Sequence, residues 1–325
     1  MNYIKIPKSW EISESEVTSE SSAMNRRQFL KGTSAIAFYG AMLYAGCSRA
    51  SSPIEEGITL NEIEKEIYPA QRNLKYTLDC NLTEEKEAAS YNNFYEFSSD
   101  KKDPSNLAQE LSIRPWTVEV KGLVGKPRTF HIDDLLKYMP IEERLYRFRC
   151  VEAWAMVVPW TGFPLKALLR KVEPLKQATH VRFTTFHKPL TARGQLAFWY
   201  PWPYTEGLTL EEAMNELTFV ATGIYGHPLP KQHGAPLRLV VPWKYGYKGA
   251  KSIVSIELLD YQPSTFWTTL QAKEYDFVAN VNPRIAHPRW LQTREKMVGT
   301  GEERLTRLFN GYRDQVAYLY PGQFF

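Results

Sequence analysis

Cys150 ends a stretch, Leu145-Tyr146-Arg147-Phe148-Arg149-Cys150, that alternates like a strand and then enters Val151-Glu152-Ala153-Trp154. A side chain at such a strand end can project into a pocket, where a thiolate would be a soft ligand for a molybdenum-type or copper centre. The thiol pKa would have to fall for that, through metal ligation or nearby positive charge. Strand alternation puts Tyr146, Phe148 and Cys150 on one face and Arg147 and Arg149 on the other, so these arginines are poorly aimed to activate the thiol. A buried, inert cysteine fits the same residues. Glu152 can carry protons to a reacting centre or pair with a neighbouring arginine. Residue chemistry leaves both questions open.

A second constellation is Pro242-Trp243-Lys244-Tyr245-Gly246-Tyr247-Lys248-Gly249-Ala250-Lys251, between two predicted strands. Glycines let a backbone approach an anion closely, and three lysines supply charge. Arg238, just upstream, offers a fork suited to phosphate. A solvated basic hairpin loop has the same composition. No C-x-x-C or H-E-x-x-H motif occurs, and the histidines (131, 180, 187, 227, 233, 287) are scattered, so a zinc or iron–sulfur site made by protein ligands alone finds no support. The chain also lacks a G-x-G-x-x-G or Walker-type loop, which argues against nicotinamide and nucleoside-triphosphate chemistry.

The elements that must hold these residues sharpen from Pro115 onward. Trp116, Val118 and Val120 alternate as a strand ended by Gly122. Asp133 is placed to cap a short helix, Asp134 to Tyr138, stopped by Pro140. Pro164 opens a helix in which Leu165, Leu168, Leu169 and Val172 repeat at helical spacing. Val181, Phe183 and Thr185 share a strand face. Thr209 and Glu212 form a capping box for a helix through Leu217. Thr218–Tyr225, Leu237–Val241 and Ser252–Leu259 read as further strands. Upstream, Glu62 to Ile67 suits a helical turn, and Tyr91–Phe97 is an aromatic, amide-rich loop. Strands outnumber helices without a βαβ rhythm, so the expected class is α+β, with mixed sheets and peripheral helices. The tail from Tyr261 to Phe325 lacks the run of short strands of an added immunoglobulin-like domain, leaving a single catalytic domain over residues 51–325.

The 325 residues suffice for a large core, and 43% apolar with 23% charged residues is ordinary for a globular chain. Aromatics reach 14% and cluster at Phe198–Tyr204, as core packing or as a wall around a bulky ligand. The net charge of +4, without a long basic tract, gives no support to nucleic-acid binding. Three cysteines (Cys47, Cys80, Cys150) make no disulfide scaffold, though a Cys80–Cys150 bridge is open on arithmetic alone. Residues 1–23 are polar and rich in serine and glutamate, the composition of a disordered extension. Met24-Asn25-Arg26-Arg27-Gln28-Phe29-Leu30-Lys31 resembles the bacterial twin-arginine export signal. The apolar stretch after it, Gly32 to Gly46, is too short and too rich in small residues for a comfortable membrane span. The segment 24–50 is therefore set aside as a signal for periplasmic export of a folded protein. Cys47 stands roughly where a lipoprotein is processed, so a lipid anchor there and cleavage nearby, after Ala50, both remain open.

Together these words resemble the bacterial protein-methionine-sulfoxide reductase catalytic subunits, within the sulfite-oxidase superfamily of molybdopterin enzymes. The resemblance covers roughly residues 90 to 325 and the export signal. It rests on Tyr91–Phe97, Tyr146–Trp154 continuing through Val157–Trp160 to Gly162–Leu165, Gly234–Gly246, Ala279–Pro283 and His287–Trp290. It implies a sulfite-oxidase-type molybdopterin-binding fold and one Mo-molybdopterin per chain. Cys150 matches the thiolate that ligates molybdenum. Asn92, Tyr95, Glu96 and Thr185 match pterin contacts. Arg238 with Gly249, Ala250 and Lys251 match the remaining cofactor contacts, most naturally around the phosphate. The family places Asn directly before Gly-Ala-Pro, where this chain has His233; a histidine can still donate, with different geometry. A metal-bound Cys150 cannot also bridge Cys80, which is then a free or buried thiol. The family reaction is oxygen-atom transfer from methionine sulfoxide in oxidised periplasmic proteins, with electrons from a membrane-embedded haem-binding subunit fed by quinols. The rivals are another sulfite-oxidase-family reductase or oxidase of small S- or N-oxides, and a non-enzymatic periplasmic binding protein on the same scaffold.

Overall fold

The structure, a computed structural model, describes residues 60–78 and 80–322 of the 325-residue chain. The expectations for residues 1–23, for the export signal at 24–50 and for Cys47 lie outside the described residues.

The first six strands are β1 (Thr117–Gly122), β2 (Arg128–His131), β3 (Glu142–Arg149), β4 (Trp154–Pro164), β5 (His180–Thr185) and β6 (Thr205–Thr209). The later six are β7 (Phe219–Ile224), β8 (His227–Pro228), β9 (Arg238–Val240), β10 (Ile253–Leu259), β11 (Arg294–Met297) and β12 (Glu303–Leu305). They form two mixed sheets, so the class is α+β. One sheet runs β2-β1-β10-β5-β6, with β1 and β10 parallel. The other runs β12-β11-β4-β7-β8, with β3 also paired to β4 and β9 to β7.

The apolar spacing explains much of this. Val118 and Val120 are buried while Thr117 and Glu119 are exposed, as expected of a strand with one wet face. In β5 the buried residues are Val181, Phe183 and Thr185. β4 is buried along its whole length, because β3, β7 and β11 flank it and both of its faces are covered. The helix Leu165–Val172 turns Leu165, Leu168, Leu169 and Val172 into the core, each burial contributing about 1.5–3 kcal/mol. Asn61 and Glu64 box the start of the helix Glu62–Ile67.

Two helix expectations need correction. The helix at residue 132 spans Ile132–Tyr138, with His131 at its N-cap and no side-chain cap. Asp133 lies in the first turn, where its carboxylate pairs with Arg114 instead. The Thr209–Glu212 box is present, but its helix stops at Met214, short of Leu217. Asn215 Oδ1 accepts the Leu217 N–H at 2.9 Å and Thr218 Oγ1 donates to the Glu212 carbonyl at 2.6 Å, which ends the helix and leads the chain into buried β7. The segment beyond Tyr261 is woven into the second sheet, since β11 lies parallel beside β4 at Lys296–Trp154 and Met297–Ala155.

These connections bring the two constellations together. The β3–β4 hairpin carries Cys150 at its turn. β9 carries Arg238, and an isolated bridge pairs Arg238 with Lys251 just where the chain crosses to β10 of the other sheet.

Candidate active site

The hairpin turn fixes Cys150. Its N–H donates to the Trp154 carbonyl at 2.9 Å, and Ala153 takes a left-handed φ of 66° to close the reversal. The indole of Trp290 and the amide of Gln292 both donate to the Val151 carbonyl, at 2.8 and 2.7 Å. Cys150 is 5% exposed. Glu152 Oε2 lies 3.7 Å from its sulfur and accepts from Asn93 and Trp154, each at 3.1 Å, while Oε1 accepts from Lys101 at 3.1 Å. The ion-pair partner of Glu152 is therefore Lys101 and not an arginine. Burial works against ionisation of Glu152, but the Asn93, Trp154 and Lys101 donors outweigh it and hold the carboxyl below its ordinary range. Burial, then the Glu152 carboxylate, push the Cys150 thiol up to about 12, so a thiolate here needs a cation beside it. The Arg149 and Lys101 charges offset this only in part, and the Arg149 guanidinium pairs with Glu295 and donates to the Cys150 carbonyl rather than to the sulfur. Cys80 and Cys150 are both free thiols.

Cys150 stands in a cleft that opens to solvent. Asn92, Tyr95, Glu96, Glu152, His233, Arg238, Gly249 and Lys251 line it as well. The structure thus gathers most of the expected site residues in one place. Thr185 and Ala250 stand behind the lining. Thr185 Oγ1 donates to Glu96 at 3.2 Å, and the Ala250 carbonyl accepts the Leu239 N–H at 2.9 Å. Asn92 directs its side-chain amide at the Ala89 carbonyl, 2.7 Å away, which pins the loop. Asn93 was not singled out by sequence, although its amide reaches both Glu152 and, at 3.7 Å, the Cys150 sulfur. Its only sequence signal was its place beside Asn92 in the amide-rich loop.

The lysine-rich loop does not behave as a solvated hairpin. Lys244 pairs with Glu212 at 2.6 Å and Lys248 with Glu206 at 2.8 Å, all four side chains buried. Those two lysines hold the loop down and bring no net charge to the cleft. Lys251 does. Its ammonium donates only to the carbonyls of Asn93 and Gln232, at 3.0 and 2.8 Å. Arg238 reaches the carbonyls of His233, Leu239 and Gly249 at 3.2–3.4 Å. Neither cation forms an ion pair with a carboxylate among the described residues. Burial lowers Arg238 to about 10, and burial followed by the Arg238 charge takes Lys251 well below its ordinary value. His233 is driven well below the usual imidazole range by burial and by both cations, so it faces the cleft as a neutral ring. A Cβ on Gly249 would stand 2.9 Å from the Leu239 carbonyl and 2.5 Å from the Arg238 guanidinium, so a larger residue would push both the loop backbone and Arg238 aside.

A buried cation pair without a carboxylate is costly unless an anion completes it. The buried indole N–H of Trp160 and the Oδ1 of Asn93, both on cleft-lining residues, make no hydrogen bond. Cations and a spare donor suit a phosphate-bearing, heteroatom-rich cofactor, and one thiol suits a soft metal. No cluster of three His, Cys, Asp or Glu occurs among the described residues, so a metal here would be held by Cys150 and by the cofactor's own donors. The residues fit a molybdopterin.

Glu96 allows a direct check on this electrostatic picture. Burial pushes its carboxyl from 4.5 up to about 7, against the Lys251 charge and the Thr185 hydroxyl. A carboxyl whose pKa rises on folding keeps its proton in the folded chain where the unfolded chain has lost it. The cofactor-free protein then loses stability as pH climbs from about 4.5 to about 7. Glu96→Gln removes that slope and is expected to be the more stable form near pH 7.5 by up to about 3 kcal/mol, with no difference near pH 4. Urea midpoints of parent and variant at the two pH values measure it. Parallel behaviour at both would mean an unshifted Glu96.

Comparison with known proteins agrees with the geometry. The family profile described as the oxidoreductase molybdopterin binding domain matches residues 105–267. The chain is 45% identical to the protein-methionine-sulfoxide reductase catalytic subunit MsrP of Pseudomonas syringae pv. tomato, over 98% of this chain and 97% of that one. It is 47% identical to MsrP of Xanthomonas axonopodis pv. citri, over 95% of this chain and 94% of that one. Among solved structures, the sulfane dehydrogenase SoxCD of Paracoccus pantotrophus aligns at TM-score 0.47 and 16% identity, over 81% of this chain and 63% of that one, too loosely to carry an argument. The chain carries a molybdopterin-binding oxidoreductase domain and belongs to the family of protein-methionine-sulfoxide reductase catalytic subunits.

Proposed function

We propose that the protein reduces methionine sulfoxide in oxidised periplasmic proteins, with one Mo-molybdopterin per chain and electrons from a membrane-embedded haem-binding subunit fed by the quinone pool. The observation that carries this reading is the meeting, in one cleft, of the Cys150 thiol and the carboxylate-free cations Arg238 and Lys251. The twin-arginine segment supports export of a protein already folded around its cofactor.

When bound, the cofactor would supply two-electron oxygen-atom-transfer chemistry. Sulfoxide, two electrons and two protons become thioether and water. Cys150 Sγ would hold the metal. Arg238, Lys251 and the His233 segment, with Gly249 and Ala250 beside them, would hold the phosphate, and Asn92, Tyr95 and Glu96 would wall the pterin, with Thr185 bracing Glu96 from behind. Glu152 Oε2 is the protein oxygen placed to hold or pass a proton beside Cys150, with Asn93 and Trp154 orienting it.

Metal and pterin analysis of the exported protein tests the assignment first. About one molybdenum and one pterin per chain, with dye-driven reduction of free methionine sulfoxide, are expected. A metal-free protein from cofactor-competent cells would overturn it. In the loaded enzyme, Glu152→Gln is expected to lower kcat by about 10²-fold with pterin content unchanged, the usual scale for a lost proton-transfer group. An unchanged kcat would leave Glu152 a structural partner of Lys101.

A further inference from the structure

The loop between β5 and β6 leaves a group of large apolar side chains in water. Leu190 and Phe198 are each 89% exposed, Trp199 64% and Leu196 60%. Patches of this kind on a soluble protein mark contact surfaces. The loop is not loose. Gln195 is buried and grips it from inside, accepting the Lys188 N–H at 2.7 Å and donating to the Phe186 carbonyl at 2.8 Å. Trp202 Nε1 donates to the Ala197 carbonyl at 3.1 Å. A Cβ on Gly194 would stand 2.1 Å from the Tyr95 carbonyl, so the loop lies directly on the wall of the cleft.

The exposed rings also continue into that wall. Phe198 touches Trp199, with centroids 5.2 Å apart, and Trp199 leads to Tyr200 at 6.1 Å. Tyr200 meets Tyr95 edge-on at 6.2 Å, Tyr95 meets Trp267 at 5.1 Å, and Trp267 stacks on Tyr275 at 4.7 Å. Tyr95, Trp267 and Tyr275 line the cleft that holds Cys150. One unbroken track of rings thus runs from open solvent to the reacting end of the protein.

We infer that the Leu190–Trp199 shelf is a docking surface for the polypeptide that carries the methionine sulfoxide, binding apolar side chains that flank the oxidised residue while the residue itself enters the cleft. The inference rests on the function proposed above. The occupant follows from continuity, because a chain whose sulfoxide lies in the cleft has its neighbouring residues led onto these rings. Arg193 is the single charge between Leu190 and Pro203, so recognition is by apolar and aromatic contact and tolerates varied sequences. A free amino acid ends inside the cleft and never reaches Phe198.

The test compares two substrates on the molybdenum-loaded enzyme with a reduced viologen dye as electron donor. The substrates are free methionine sulfoxide and peroxide-oxidised calmodulin, a methionine-rich protein. The double variant Phe198→Ser/Trp199→Ser is expected to lose about tenfold or more in kcat/KM on oxidised calmodulin, the scale of losing aromatic anchors, and mainly through KM. On free methionine sulfoxide it should stay within about twofold of the parent. Leu74→Ser, which removes an exposed leucine (77%) elsewhere, should change neither. Equal losses on both substrates, or none on either, would overturn the docking role while leaving the reductase reading intact. Dye-driven turnover intact on both substrates but lost with membranes as electron source would assign the shelf to the electron-donating partner instead. A parent enzyme that reduces neither substrate would bring down the function and the docking role together.

Discussion

Cys150→Ser is expected to give a folded protein that retains its pterin and reduces methionine sulfoxide at less than about one thousandth of the parental rate, a barrier increase of ~4 kcal/mol or more. The fold should tolerate the change because serine is nearly the same shape, and the turn is held by backbone and by Trp290 and Gln292, not by the sulfur. Cofactor retention should survive because the cations proposed to hold the phosphate, Arg238 and Lys251, are untouched. What is lost is softness. A serine oxygen is harder and less polarisable than a thiolate and gives up its proton far less readily, so it cannot take the same place toward a soft metal. Among the described residues the cleft offers no second thiol, Cys80 standing against Ala155, Val157 and Met297 instead. Turnover with both dye and methionine sulfoxide, beside fluorimetric pterin content, separates the two quantities. A serine variant working within tenfold of the parent would remove Cys150 from the metal, and one that has lost its pterin would make the thiol an anchor for the whole cofactor.

What the sequence discloses about this centre depends on the range of the interaction concerned. Apolar periodicity is local, so β1, β5 and the helix Leu165–Val172 were readable from residues four to seven apart. Strand alternation placed Cys150 and Phe148 together, and both do line the cleft. Family words then supplied roles that spacing could not. Apart from the early stop of the helix at Met214, which is local, the failures are long-range pairings. Asp133 had the right type for a cap, but Arg114, nineteen positions back, claims its carboxylate. Lys244 and Lys248 looked like free charge beside Lys251, because Glu212 and Glu206, which neutralise them, lie 32 and 42 positions away in the sequence. Asn93 meets Glu152 across 59 positions, between segments that no local pattern joins. Sequence therefore named the cations that could meet an anion, and only the fold told which of them was still unpaired.

That distinction carries a prediction with opposite signs in two states of the protein. Arg238 is buried, makes only long bonds to three carbonyls, and has no carboxylate partner among the described residues. Its drop from 12.5 to about 10 corresponds to roughly 3 kcal/mol of burial cost at neutral pH, where the guanidinium is charged whether the chain is folded or not. Arg238→Met keeps the length and much of the volume and removes the charge. Lost contacts over the Trp160 ring, 5.0 Å away, and with the carbonyls offset part of the gain. The cofactor-free variant is expected to melt about 2–4 °C above the cofactor-free parent, a net gain of ~1 kcal/mol for a chain of this size. The loaded state should move the other way. Binding stabilises the folded chain in proportion to affinity, so the parent should gain markedly on loading and the variant very little, with little pterin recovered from it after purification. Melting curves of both proteins, made in cells with and without the cofactor, give the four values needed. A variant less stable than the parent when empty would mean that the carbonyl contacts outweigh the burial cost, and one that keeps its pterin would place the anion elsewhere in the cleft. The expected crossing, better folded when empty and worse when loaded, is what separates a residue kept for its ligand from one kept for the fold.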